Sequence, residues 1–188
     1  MKVPVIDNGG QWTHREFRVL RDLGVDTEIV PNTTRVSPGS VDGVVLSGGA
    51  LSLEGVEAPL GVVGEWIDGF DGAVLGICVG HQFLGRHFGG AVSHAPAPEF
   101  GRVAVEVDRP EHPIFDGLPA HLTVWSSHND QVSQLPPAWL PLAHSSSCPV
   151  QAMAHPNRPI VGLQFHPEVE HTVGGLAMFQ NFLKLCHR

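Results

Sequence analysis

The stretch Leu75-Gly76-Ile77-Cys78-Val79-Gly80-His81-Gln82-Phe83-Leu84 constrains the fold of this chain more than any other. An apolar run, Ala73 to Ile77, leads straight into a cysteine with a glycine two residues away on each side. This is the layout of a nucleophile elbow, G-x-S-x-G, with Cys in place of Ser. A strand must reverse abruptly into a helix so that the nucleophile stands alone at the tip. Backbone then passes so close to the flanking positions that Gly76 and Gly80 have no room for a side chain. Cys78 is placed near a helix N-terminus, where the positive end of the dipole favours a thiolate. A free cysteine is more often a plain core residue, and the two spaced glycines after an apolar strand are what argue otherwise here.

The rest of the chain supplies the framework such an elbow needs. Val3 to Ile6 reads as a strand ending in the turn cluster Asp7-Asn8-Gly9-Gly10. A helix is predicted from about Gln11 to Leu23, with Trp12, Val19, Leu20 and Leu23 on one face and Gly24 as C-cap. Further strands are expected at Thr27 to Val30, Val44 to Leu46 and Ala73 to Ile77, and buried strands alternating with helices indicate a mostly parallel sheet. After Gly90 the texture changes to short strands at Val103–Val107, Leu122–Trp125, Val150–Ala154 and Ile160–Phe165. Pro96-Ala97-Pro98 and Pro136-Pro137 read as connections, and a helix is predicted from Val173 to Cys186. The fold class is therefore α/β: an open, mostly parallel sheet flanked by helices, with an added mixed or antiparallel second half. At 188 residues a single domain over 1–188 is expected.

Composition removes several function classes. The formal net charge is -8 and lysine occurs only at positions 2 and 184, which counts against nucleic acid as a partner. Cys78, Cys148 and Cys186 form no CxxC pair and are odd in number, so neither a disulfide framework nor a zinc knuckle is indicated. Met1 to Asp7 is too short for a signal peptide or a membrane span, and a reducing cytoplasm is the expected setting.

A cysteine nucleophile needs a base, and the base needs a group that holds its tautomer. Gly162-Leu163-Gln164-Phe165-His166-Pro167-Glu168 offers both. In extended chain His166 and Glu168 project to the same side, and Pro167 marks the end of the strand, where α/β sheets expose functional groups. His166 is assigned as general base and acid and Glu168 as its orienting carboxylate. The HExxH spacing is absent around His166, Glu170 and His171, so no metal is expected. His81 follows the elbow and reads as a brace or a participant. His14, His87, His94, His112, His121, His144, His155 and His187 are read as ordinary histidines.

Together the two stretches resemble the class I glutamine amidotransferases, whose hallmark is G-I-C-x-G-x-Q followed far downstream by F-H-P-E. Gly76 to Gln82 and Phe165 to Glu168 match it, and Ser47-Gly48-Gly49 matches an upstream S-G-G segment. Further stretches are similar to one branch, the glutaminase subunits of GMP synthases in their stand-alone archaeal form. These are Asp7 to Trp12, Glu99-Phe100-Gly101, Trp125 to Asp130, Cys148 to Ala152 and His166 to Thr172. The chain departs from the pattern at Ala50, where the family usually has Pro, and at Pro98, where many relatives have a basic residue.

The resemblance implies a Cys78–His166–Glu168 triad that releases ammonia from L-glutamine. The backbone N–H groups of Gly49 and Val79 are the implied oxyanion donors. Gln82, Ser127, Asn129 and Asp130 are the implied substrate-binding residues, the last three on a loop. The implied partner is a separate ATP pyrophosphatase subunit that converts XMP to GMP. ATP and magnesium belong to that partner, and no cofactor is expected in this chain. Other readings keep the triad and change the recipient, to a carbamoyl phosphate, anthranilate or aminobenzoate synthase, or make the chain a glutamyl hydrolase or a non-catalytic regulatory module.

Overall fold

A computed structural model describes residues 1–54 and 60–186, and of the unassigned histidines His187 lies outside them. The elements are β1 (Val5–Asp7), α1 (Thr13–Asp22), β2 (Ile29–Pro31), β3 (Gly43–Leu46), β4 (Ala73–Ile77), α2 (Val79–His87), β5 (Ala91–Val107), β6 (His121–Gln134), β7 (Leu140–His144), β8 (Ala152–Ala154), β9 (Ile160–Leu163) and α3 (Gly175–Leu185). The described strands form one sheet in the order β2-β1-β3-β4-β9-β8-β7-β5-β6. The run from β2 to β9 pairs in parallel, and every pair from β9 outward is antiparallel. Two sequence regions far apart, β4 and β9, thus lie side by side at the centre, with Ile77 opposite Leu163.

Alternation along the central strands divides the core in two. Val5, Val45 and Leu75 face one side, where Leu20 of α1 and Met178, Phe179 and Phe182 of α3 cover them. Ile6, Val44, Leu46 and Val74 face the other, against Val79, Phe83 and Leu84 of α2. Burial on both faces is why these strands read as unbroken apolar runs. No helix among the described residues is long and apolar enough to cross a membrane.

Several expectations need correction. β5 is one long strand that includes Pro96 and Pro98, because its ladder with β6 breaks between His94 and Glu99 and no backbone donor is needed there. Ser127, Asn129 and Asp130 stand on β6 and not on a loop. β7 lies outside the expected strands, since Pro141 interrupts its pattern. β9 stops at Leu163, and the chain after it turns instead of running extended: Val169 N–H donates to the His166 carbonyl at 3.3 Å, with Pro167 in the second position of the turn. α1 buries Thr13, Glu16 and Leu20. Trp12 precedes its first turn, so the buried stripe contains a carboxylate that apolar periodicity passes over.

Candidate active site

The loops that follow β1, β3, β4 and β9 all leave from the C-terminal ends of parallel strands, where open α/β sheets place their sites. The loops after β1 and β3 are clamped together: Asn8 N–H donates to Ser47 Oγ at 2.9 Å, and Asn8 Nδ2 donates to the Ser47 carbonyl at 2.8 Å. A Cβ at Gly49 would lie 2.5 Å from the Asn8 carbonyl oxygen, so only glycine permits this crossing.

Cys78 sits between β4 and α2 with φ 50 and ψ -104, a strained conformation for a residue with a Cβ. Its N–H donates to the Leu163 carbonyl at 2.8 Å, which ties the turn to β9. A Cβ at Gly76 would meet the Gly80 carbonyl at 2.7 Å, and one at Gly80 would meet the Leu46 carbonyl at 2.3 Å. Both glycines are therefore required by backbone contact, as the elbow pattern predicts.

The imidazole of His166 reaches this turn from the end of β9. The side chains of Cys78 and His166 both adjoin Gly48, whose added Cβ would lie 3.1 Å from His166 Cε1 and 3.6 Å from Cys78 Cβ. On its other side His166 Nδ1 donates to Glu168 Oε1 at 2.7 Å. Burial opposes charge on this ring, but the Glu168 carboxylate and the Cys78 sulfur outweigh it and raise the His166 pKa to about 10. His166 is an imidazolium at neutral pH, a form that has already accepted a proton and can return it to a leaving group. The turn is sewn to β6: His166 N–H donates to the Trp125 carbonyl at 2.9 Å, and Trp125 N–H donates to Thr172 Oγ1 at 2.9 Å, which in turn donates to the His166 carbonyl at 2.7 Å. The edge of Trp12 packs on the imidazole with ring centroids 4.5 Å apart.

These groups line an open cavity of about 500 Å³, a size suited to a small ligand such as an amino acid. Gly49 and Val79 adjoin in its wall, since a Cβ on Gly49 would touch Val79 Cγ1 at 3.4 Å. The Val79 N–H is in the first helical turn and has no intrahelical acceptor by position. Gln82, Ser127, Asn129 and Asp130 also line the cavity. Their polar atoms are unequally free. Gln82 Nε2 donates to the Asp130 carbonyl at 2.7 Å and to Gln164 Oε1 at 3.2 Å. The Asp130 carboxylate takes Ser52 Oγ at 2.5 Å and His94 Nδ1 at 2.6 Å, so it braces the wall. The Ser127 carbonyl faces the thiol, 3.8 Å from Sγ. Asn129 is exposed at the mouth. Glu54, His94 and Asp130 lie close enough to suggest a cation site, but their facing atoms are engaged with one another.

His81 is fully buried beneath β9, where a Cβ on Gly162 would touch its ring at 2.6 Å. Burial lowers its pKa to about 3, and it does not line the cavity. It is a neutral brace. The stretches around Glu99, His128 and Gln151 converge on one buried carboxylate: Glu99 accepts from His128 Nε2 at 2.9 Å, from Gln151 Nε2 at 2.6 Å and from the Ser145 and Ser147 hydroxyls. Burial opposes ionisation of Glu99, yet these four donors lower its pKa to about 2. Ala50 and Pro98 are both exposed, and Ala50 stands on the cavity rim. Sequence reasoning missed Glu16, which lines the same cavity from α1. The spacing of Trp12, Glu16 and Leu20, four residues apart each, could have placed it on the buried stripe.

The family model described as "Glutamine amidotransferase class-I" matches residues 4–186. Among curated relatives, a protein of Thermoplasma acidophilum named as one subunit of a glutamine-hydrolysing GMP synthase is 51% identical over 99% of this chain and 93% of its own length. The protein of the same name from Thermococcus kodakarensis is 44% identical over 98% of both. The crystal structure of a candidate GMP synthase subunit from Thermoplasma acidophilum superposes with a TM-score of 0.90 at 49% identity, covering 100% of this chain and 94% of that one. A glutamine amidotransferase structure from Thermotoga maritima, 21% identical over 98% of this chain and 81% of its own, shares the fold with a TM-score of 0.75. With a matching model over nearly its whole length and relatives of this identity, the chain belongs to the class-I glutamine amidotransferase family.

Proposed function

We propose that this chain hydrolyses L-glutamine to glutamate and ammonia, and that it does so as the glutaminase subunit of a GMP synthase. The observation that carries the chemistry is that Cys78 and His166 meet at Gly48, with His166 held by Glu168 at 2.7 Å, on the wall of an amino-acid-sized cavity. Cys78, as thiolate, attacks the side-chain amide carbon. The N–H groups of Gly49 and Val79 receive the developing oxyanion, each donor of this kind being worth about 3 kcal/mol where one has been removed elsewhere. The imidazolium of His166 gives its proton to the leaving ammonia and then takes one from the water that cleaves the thioester, while Glu168 keeps its orientation. Gln82, Ser127, Asn129 and Asp130 shape the end of the cavity that would hold the amino acid's backbone groups. Amide hydrolysis by this set requires no cofactor.

The recipient of the ammonia is inferred from the relatives, which are named as one subunit of a glutamine-hydrolysing GMP synthase. Their partner would be the ATP pyrophosphatase subunit, using ATP and magnesium to convert XMP to GMP, in the cytoplasm. The test mixes this chain with such a subunit, ATP, magnesium, XMP and glutamine labelled with nitrogen-15 in its side-chain amide. Labelled GMP is the expected product. Formation of GMP from added ammonia but none from glutamine would reject the pairing.

A further inference from the structure

A second carboxyl group stands in the site beside the triad. Glu16, on the buried face of α1, is 1% exposed and lines the cavity that holds Cys78, His166 and Glu168. Its Oε1 accepts the Gly48 N–H at 3.4 Å, in the turn that carries Gly49. Its Oε2 is buried without a partner, and so is Oε2 of Glu168. Two buried carboxylates with unsatisfied oxygens in one small site are costly while both are ionised. One proton removes the repulsion and turns an orphaned acceptor into a donor.

We infer that Glu16 is a positioning residue of this active site: it is held as the neutral acid, so that it and Glu168 carry a single negative charge while its carbonyl oxygen anchors the Gly48–Gly49 turn. Glu168 is thereby left as the anionic partner of His166, and the oxyanion-side turn is fixed from behind. Burial is the main cause that drives Glu16 well above the ordinary carboxyl range, with repulsion from Glu168 next; attraction to His166 and the Gly48 hydrogen bond oppose this, and Cys78 adds to it. Those are the titratable groups that face it, Glu168 and His166 from the turn after β9 and Cys78 from the elbow.

The sign of the linkage is fixed. The unfolded chain releases this proton above about pH 4.5 while the folded chain keeps it, so Glu16 costs stability increasingly as pH rises through that window. The inference rests on the glutaminase reading for its catalytic part, and the test separates the two. Infrared difference spectra between the wild type and Glu16→Gln at neutral pH should show a protonated-carboxyl carbonyl band that the variant lacks. The urea midpoint of Glu16→Gln should exceed that of the wild type at about pH 8 and equal it at about pH 4. In turnover, Glu16→Ala should lose about tenfold in kcat with KM unchanged, and Glu16→Gln should restore kcat to within about twofold. No such band, no pH-dependent gain for Gln, or unchanged kcat in the alanine variant would each overturn the proposal. Neither the spectrum nor the denaturation needs the alanine variant to fold. A wild type that shows the band but releases no ammonia beside its partner would reject the glutaminase reading and leave the proton on Glu16 in place.

Discussion

Replacing Cys78 by alanine is expected to reduce glutamine hydrolysis by about 10⁴-fold or more while the chain stays folded. Members of a nucleophile–base unit are far from additive, and removing the nucleophile costs nearly what removing the whole unit costs. Cys148 and Cys186 cannot substitute for it. Burial raises the pKa of each to about 12, and neither lines the cavity. The fold should tolerate the change because Ala and Cys meet the same backbone strain at φ 50, and the substitution deletes only a sulfur in the site's wall. Ammonia release gives the rate, and near-ultraviolet circular dichroism checks the fold. Retained turnover in a folded variant would reject Cys78 as nucleophile.

Glu168→Gln should come next in size, with kcat lower by about 10²- to 10⁴-fold, as when the orienting carboxylate of a comparable triad is neutralised. The Glu168 carboxylate, 2.7 Å from Nδ1, is the leading influence that raises His166 against the opposing effect of burial. Without that charge the imidazolium is lost at lower pH, so the alkaline limb of the rate profile should move downward from the region of pH 10. Stability follows the same pair. A raised histidine pKa contributes fully below the unfolded value of 6.5 and the contribution disappears as pH rises through about 10. The variant should therefore be less stable than the wild type at pH 6, with a gap that closes toward pH 10. A kcat within a few-fold of the wild type, or a gap independent of pH, would contradict the orienting role.

The parts of this site that can be read from sequence are those where chemistry forces a residue type. Gly76 and Gly80 are legible because a Cβ would strike the carbonyls of Gly80 and Leu46, and nothing but glycine satisfies that geometry. His166 and Glu168 are legible because they lie two residues apart. Extended chain would join them on one side, and the turn that stands there instead joins them equally well. The parallel half of the sheet is visible in its apolar runs, which are buried on both faces. The second half is harder: β5 carries two prolines where its ladder lapses, and β7 carries Pro141. Propensity counts these against a strand, whereas tertiary pairing around the gaps overrides it. Glu16 escaped notice for the opposite reason. A glutamate on an amphipathic helix is assigned to solvent by default; its spacing from Trp12 and Leu20 points to the buried stripe, and the packing of α1 against the loop after β3 shows what it meets there.

One thiol of three is set apart by its elbow and its histidine, and a diazoketone analogue of glutamine distinguishes it from the other two. After exposure of the wild-type chain at neutral pH, peptide mass mapping should find one adduct, on Cys78. Cys148 and Cys186 should remain unmodified, and excess glutamine should slow the labelling. An adduct on either of those residues at a comparable rate, or labelling of Cys78 that glutamine does not slow, would reject Cys78 as the thiol that attacks glutamine.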